Sequence, residues 1–146
     1  VRQGDPLSPT IFVLVQDALS RNLNRSLFEG MLKPYCGRRN SGSISHSMFA
    51  DDILLFLNGR YRSLNHFSDI MSRYSRVSGQ SINPSKSHVY ISDKCSGRRG
   101  SDIQRVIGCR QKKLPIVYLG VPLSCGRIKK QYFNGITNRL LGRIFN

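Results

Sequence analysis

His46-Ser47-Met48-Phe49-Ala50-Asp51-Asp52-Ile53-Leu54-Leu55-Phe56-Leu57 is the stretch on which the reading of this chain turns. It is apolar except for its first residues and an Asp51-Asp52 pair near the middle. Strand-like flanks around two residues that tolerate turn geometry predict a β-hairpin with a two-residue Asp-Asp turn. Two ionised carboxylates this close repel each other, and a divalent cation removes the conflict. Hard oxygens at a rigid tip suit Mg²⁺, which keeps waters and also binds substrate phosphates; Mn²⁺ is the alternative ion. On its own the dipeptide fits an ordinary water-facing turn better than a metal site. Its neighbours have to decide.

Upstream, Ser8-Pro9 opens a predicted helix, with Ser8 as cap and Pro9 in the first turn. Phe12, Val15, Leu19 and Leu23 recur at helical steps, and Glu29-Gly30 is the expected end. Gly37 to Ser45 is polar and rich in Gly and Ser, which predicts a loop. Downstream, a helix from about Ser63 presents Leu64, Phe67, Met71, Tyr74 and Val77, and Gly79 stops it. Ile82 to Ser85 reads as a turn and Ser87 to Ser92 as a strand. A short helix is expected over Ser101 to Ile107. Ile116 to Leu119 and Val121 to Leu123 form two short strands about Gly120, with Pro122 limiting their pairing. A last helix starts near Lys129 and aligns Phe133, Ile136, Leu140 and Ile144. Helices and hairpins in this order predict an α+β layer, with helices on one face of an antiparallel sheet.

The chain has 146 residues, enough for one domain or a piece of a larger one. Lys and Arg number 23 against 8 Asp and Glu, a net charge of +15. So lopsided a balance favours a polyanionic partner, most simply nucleic acid; a solvated basic surface is the alternative. The basic residues gather in two stretches of the C-terminal half. One includes Lys94, Arg98, Arg99, Arg105, Arg110, Lys112 and Lys113, and the other Arg127, Lys129, Lys130, Arg139 and Arg143. Apolar runs such as Ile11 to Val15 are far too short to cross a bilayer, so no membrane is expected. No segment resembles a secretory signal, and the expected location is nucleus or cytoplasm. Cys36, Cys95, Cys109 and Cys125 have no zinc spacing and read as free thiols.

The neighbours of Asp51-Asp52 carry a family resemblance. Phe49-Ala50-Asp51-Asp52 resembles the aromatic-X-Asp-Asp motif of reverse transcriptases. Arg2-Gln3-Gly4-Asp5-Pro6-Leu7-Ser8-Pro9 looks like the block that precedes it in non-LTR retrotransposon enzymes. Gly79-Gln80-Ser81-Ile82-Asn83-Pro84-Ser85-Lys86-Ser87 resembles the next block, and Tyr118-Leu119-Gly120-Val121-Pro122-Leu123 the primer-grip block after it. Four blocks in family order span nearly the whole chain. The likeness is to LINE-type elements of plants; a group II intron maturase shares the palm but fits the wording of the blocks less well.

The resemblance implies a partial polymerase palm over residues 1–126, with the start of a thumb or connection helix over 127–146. It implies that Asp51 is the principal metal ligand with Asp52 beside it. Arg2, Gln3, Gly4, Phe49 and Ala50 would line the nucleotide and template pocket. Lys86 would protonate departing pyrophosphate, or else pair with phosphate or lie exposed. Tyr118, Leu119 and Gly120 would hold the primer end, with core packing as their alternative role. The implied partners are an RNA template, a DNA primer and deoxynucleoside triphosphates. Enzymes of the family use a third carboxylate from a strand ahead of the Gln-Gly block. Only three residues precede Gly4 here, so this stretch is expected not to polymerise DNA alone. A non-catalytic, basic nucleic-acid-binding remnant is the competing expectation. With a central strand missing, apolar surface on the first helix and the hairpin should lack cover.

Overall fold

In a computed structural model of the chain, the described residues are 4–35, 44–92, 95, 97–124, 127 and 129–145. Among these residues four α-helices and six short strands make a mixed α+β fold. Helix α1 spans Ser8–Phe28, followed by β1 (His46–Phe49), β2 (Asp52–Leu55) and α2 (Tyr61–Ser78). Then come β3 (His88–Tyr90), α3 (Gly97–Ile107), β4 (Arg110–Lys112), β5 (Ile116–Tyr118) and β6 (Val121–Leu123). A 3₁₀ turn, Lys130–Phe133, leads into α4 (Asn134–Ile144).

The expected single antiparallel sheet is not what forms. The strands pair as three separate two-stranded ladders: β1-β2 and β5-β6 antiparallel, and β3-β4 parallel. Strand β4 was not predicted, because Arg110-Gln111-Lys112 is wholly polar and exposed and carries no alternation signal. A parallel pair needs a crossover, and α3 provides it between β3 and β4. This helix begins at Gly97, four residues before the expected start, in a Gly97-Arg98-Arg99-Gly100 stretch of low intrinsic helix propensity.

Helix α1 ends as expected, with Glu29 as C-cap and Gly30 at positive φ. Its start differs by one residue. Leu7 is the cap and Ser8 the first helical residue, while Asp5 Oδ1 accepts the Leu7 N–H at 2.9 Å. The carboxylate of Asp5 thus folds back and starts the turn before Ser8. On α2, Leu64 and Phe67 are buried as expected and Ile70 joins them. Val77, by contrast, is 91% exposed, because the helix outruns the core before its last turn. Gly79 terminates α2 with φ +72, its N–H donating to Ser75 O.

The core is small: Leu19 and Leu23 from α1, Leu32 after it, and Phe67 and Ile70 from α2. Met48, Ile53, Leu55 and Leu57 pack on this cluster from the hairpin side. Burying one such side chain is worth about 1.5–3 kcal/mol, so five of them hold the helices and the hairpin together. Buried Ser63 is satisfied by the Lys33 N–H at 3.0 Å, and it donates to Met31 O. The chain leaving β2 is tied to residues 33–35 by a Pro34–Leu57 bridge and by Tyr35 N–H to Phe56 O.

The core does not reach everywhere the apolar stripes pointed. Val13 and Leu14 on the first helix are both 63% exposed. On α4 no residue is buried, and Leu140 and Ile144 face outward although their spacing suggested a core face. Among the described residues nothing packs on α4 deeply enough to bury that face. No helix among the described residues is long and apolar enough to cross a membrane.

His46 fastens the hairpin to α1. Its Nε2 lies 2.8 Å from Ser20 Oγ and its Nδ1 2.9 Å from Ser45 Oγ. A neutral imidazole suits this pair, one hydroxyl accepting from the ring N–H and the other donating to the bare nitrogen. Burial lowers the His46 pKa from its ordinary 6.5. The unfolded chain therefore binds a proton at a higher pH than the folded chain does, and stability falls as pH drops through 6.5. His46→Gln keeps a donor and an acceptor but does not titrate. Urea unfolding at a series of pH values should show a shallower loss below pH 6.5 in His46→Gln than in the parent. Identical slopes would contradict the assignment.

Candidate functional site

The hairpin turn is Ala50-Asp51 rather than Asp51-Asp52, because Phe49 pairs with Asp52 across the ladder and Asp52 opens β2. Alternation alone could not choose between these registers. Both place Met48, Ile53 and Leu55 on one face, since they differ by a whole side-chain period. The turn geometry decides, with Ala50 at φ +49, in the left-handed region. For a residue with a Cβ that region costs about 1–2 kcal/mol.

This register gives the hairpin two faces of different character. Met48, Ile53 and Leu55 face the core. Ser47, Phe49, Asp52 and Leu54 alternate to the opposite face. There Phe49 is 60% exposed, and Asp51 and Asp52 are both exposed. Among the described residues neither aspartate has a side-chain hydrogen bond or ion pair. Asp17, Glu29 and Asp102 pair instead with Arg21, Arg25 and Arg105. Those three pairs are solvent-exposed and contribute little to stability. The oxygens of Asp51 and Asp52 stay free to accept.

The β5-β6 hairpin meets the same face. Tyr118 OH lies 3.3 Å from Ser47 Oγ. Ser47 and Phe49 are two residues apart on one strand face, about 7 Å, and Phe49 stands opposite Asp52. Tyr118 therefore approaches the side of the hairpin that carries Asp52. The turn between β5 and β6 is Leu119-Gly120, with φ +51 and +81. Two successive positive φ values make the tight turn that matches strand twist, and Gly120 takes its place in it without steric cost. Leu119 pays for its own conformation and is 51% exposed, so it is not a core residue.

Other residues singled out in the sequence are placed differently. Arg2 and Gln3 lie outside the described residues. Gly4 has φ +89 with open space where a Cβ would stand, and no hydrogen bond ties it to the aspartate hairpin among the described residues. Lys86 sits on an exposed turn built by Asn83, whose carbonyl accepts the Lys86 N–H and whose Oδ1 accepts the Ser85 N–H. Lys86 makes no ion pair with Asp51 or Asp52. Gln80, in the same block, accepts from Tyr74 OH at 2.7 Å. His66, which had no evident partner in the sequence, finds Ser26 Oγ at 3.1 Å. Cys95 and Cys109 are free, and burial raises the Cys109 thiol pKa. Cys36 and Cys125 fall outside the described residues.

Two adjacent carboxylates fit a hard divalent ion that takes its remaining ligands from water and phosphate. They do not make a complete protein cage: among the described residues no three His, Cys, Asp or Glu side chains cluster for a metal. Basic side chains cluster on one stretch, with Arg98, Arg99, Arg105, Arg110, Lys112 and Lys113 on α3, β4 and the segment after it. All six are exposed.

Comparison with known proteins matches residues 1–123 to the family described as "Reverse transcriptase (RNA-dependent DNA polymerase)". The retrovirus-related Pol polyprotein from type-1 retrotransposable element R2 of Popillia japonica is 35% identical over 98 residues, 67% of this chain and 15% of that protein. An uncharacterized mitochondrial protein of Arabidopsis thaliana is 44% identical over 52 residues, 36% of this chain and 43% of that protein. The chain thus matches 15% of the length of the first relative and 43% of the second.

Ala50 offers a test of the turn assignment. Glycine at this position relieves the left-handed strain and costs some chain entropy. Ala50→Gly should stabilise the fold by about 0.5–1 kcal/mol, read as a rise in the urea midpoint with unchanged slope. A fall in the midpoint would mean that Ala50 does not occupy the turn.

Proposed function

Because the chain belongs to the reverse transcriptase family, we propose that it is the aspartate-hairpin part of the palm of an RNA-directed DNA polymerase from a non-LTR, LINE-type element. The palm portion is residues 1–126, and 127–146 starts the thumb or connection helix. The observation that carries this reading is the contact of Tyr118 with Ser47. It brings two blocks more than 60 residues apart in sequence, the Asp-Asp hairpin and the Tyr-Leu-Gly hairpin, to one face.

In this reading Asp51 and Asp52 hold Mg²⁺, or Mn²⁺ in its stead, at the hairpin tip. The bound ion supplies positive charge for phosphoryl transfer from a deoxynucleoside triphosphate to a primer 3′-hydroxyl. Phe49 and Ala50 line the nucleotide side, together with Arg2, Gln3 and Gly4. The Tyr118-Leu119-Gly120 turn supports the primer end. Lys86 is the proton donor to pyrophosphate when the assembled enzyme closes on its substrate; in the present arrangement it is an exposed turn residue. The partners are an RNA template and a DNA primer, attracted by the +15 charge.

The described residues bring two carboxylates together, not three. The reading assigns these 146 residues the binding of metal and nucleic acid and expects no templated synthesis from them alone. That leaves the second reading, a non-catalytic nucleic-acid-binding remnant, which the charge favours by itself.

One preparation tests both. Mn²⁺ added with a deoxynucleoside triphosphate should broaden the amide NMR signals of Ala50 to Ile53 first, and Asp51→Asn/Asp52→Asn should abolish that selectivity. Given primer, template and Mg²⁺, the same chain should yield no extended product. Broadening centred elsewhere would remove the metal role from the hairpin, and templated extension would overturn the two-carboxylate account.

A further inference from the structure

At the end of the aspartate hairpin remote from its tip, the chain leaving β2 enters α2 and meets α3. A cavity of about 320 Å³ opens to the surface there, walled by Leu64 and Ile103 and rimmed by Arg60, Tyr61, Arg99 and Asp102. Ile103 and Leu64 are buried, so the floor is apolar and fixed. Tyr61 is 67% exposed at its edge. A large aromatic left in water beside an apolar cavity, with cations around it, is the composition of a stacking platform for a nucleobase.

Two of the cationic side chains on the rim are open to a phosphate. Arg99 Nε donates to Gly59 O at 3.4 Å, and its terminal nitrogens make no hydrogen bond or ion pair among the described residues. The Arg60 side chain makes no hydrogen bond or ion pair among the described residues; only its backbone is engaged, the N–H donating to Asn58 and the carbonyl accepting from Leu64 N–H. Asp102, the one acid on the rim, is paired with Arg105 at 3.5 Å. The rim therefore presents two available guanidinium groups beside a ring and an apolar slot. Gly59 closes the cavity wall tightly, since a Cβ on it would stand 2.8 Å from Ile103 Cδ1.

We infer that this cavity is a second nucleic-acid contact, which takes one unpaired base of a single strand on Tyr61 and its flanking phosphates on Arg60 and Arg99. It lies at the opposite end of the hairpin from Asp51 and Asp52, so the strand it holds is held away from the hairpin tip. The inference rests on the reading that the chain handles nucleic acid, but not on catalysis. A free nucleotide has the same chemistry, base plus phosphate. A strand is favoured because the +15 charge of the chain gains from many phosphates and little from one.

The test uses the full chain and an RNA oligonucleotide of mixed sequence containing 2-aminopurine, whose fluorescence is quenched when the base stacks. Tyr61→Ala should weaken binding roughly 5- to 150-fold and lose the quenching. Tyr61→Phe should restore both to within about twofold, since the ring does the stacking. Arg60→Gln should weaken binding and flatten its salt dependence by about one phosphate contact. Far-UV circular dichroism checks that each variant folds. If the parent binds tightly and Tyr61→Ala matches it in affinity and quenching, the cavity is no binding site while the general nucleic-acid reading stands. If the parent binds no strand at low salt, both fall. If a deoxynucleotide monophosphate binds as tightly as the oligonucleotide, the strand assignment is wrong and the site is a mononucleotide pocket.

Discussion

The fold depends on one hairpin that has a dry face and a wet face. Met48, Ile53 and Leu55 project into the Leu19, Leu23, Leu32, Phe67 and Ile70 cluster. That burial fixes which way the strands lie, because a slip by one residue would exchange the two faces and put Ser47 and Asp52 in the core. Desolvating a carboxylate costs far more than one apolar contact returns. The helices α1 and α2 thus act as a bed, and what they press outward is Ser47, Phe49 and Asp52. His46 reinforces the arrangement through hydrogen bonds to Ser20 and Ser45.

The opposite face acquires meaning from a distant part of the chain. Tyr118 touches Ser47, and so the β5-β6 turn stands on the aspartate side. Both turns contain a residue with a side chain at positive φ, Ala50 in one and Leu119 in the other. Each is strained by an amount comparable to a hydrogen bond. Both strained residues are exposed at turn tips, where neither contributes to the core. The electrostatics are equally divided. Asp17, Glu29 and Asp102 are paired with arginines, whereas Asp51 and Asp52 have no ion pair among the described residues.

Much of this was legible in the residues and some was not, for physical reasons. Long helices showed because Leu19, Leu23, Leu64 and Phe67 repeat at helical spacing and are buried. The hairpins about Ala50-Asp51 and Leu119-Gly120 showed because apolar runs flank turn residues. Register was not readable to one position, since two registers bury the same three side chains. Strand β4 was invisible because a three-residue polar strand owes its existence to pairing with β3, not to its own pattern. The apolar stripe of α4 misled, because spacing reports amphipathicity and not whether anything lies opposite. The aspartates and the tyrosine turn were singled out by motif wording. The cavity at Tyr61 was not, because its walls come from α2 and α3 and no contiguous pattern announces it.

The claim on which everything else rests is that the late tyrosine turn and the aspartate hairpin share a face. Proton NMR of the chain, with cross-relaxation measured from the Tyr118 ring, examines it directly. The account requires contacts from that ring to Ser47 and its neighbours on the Phe49 side of β1. Contacts instead to the Met48 and Ile53 side, or none to the hairpin at all, would contradict it.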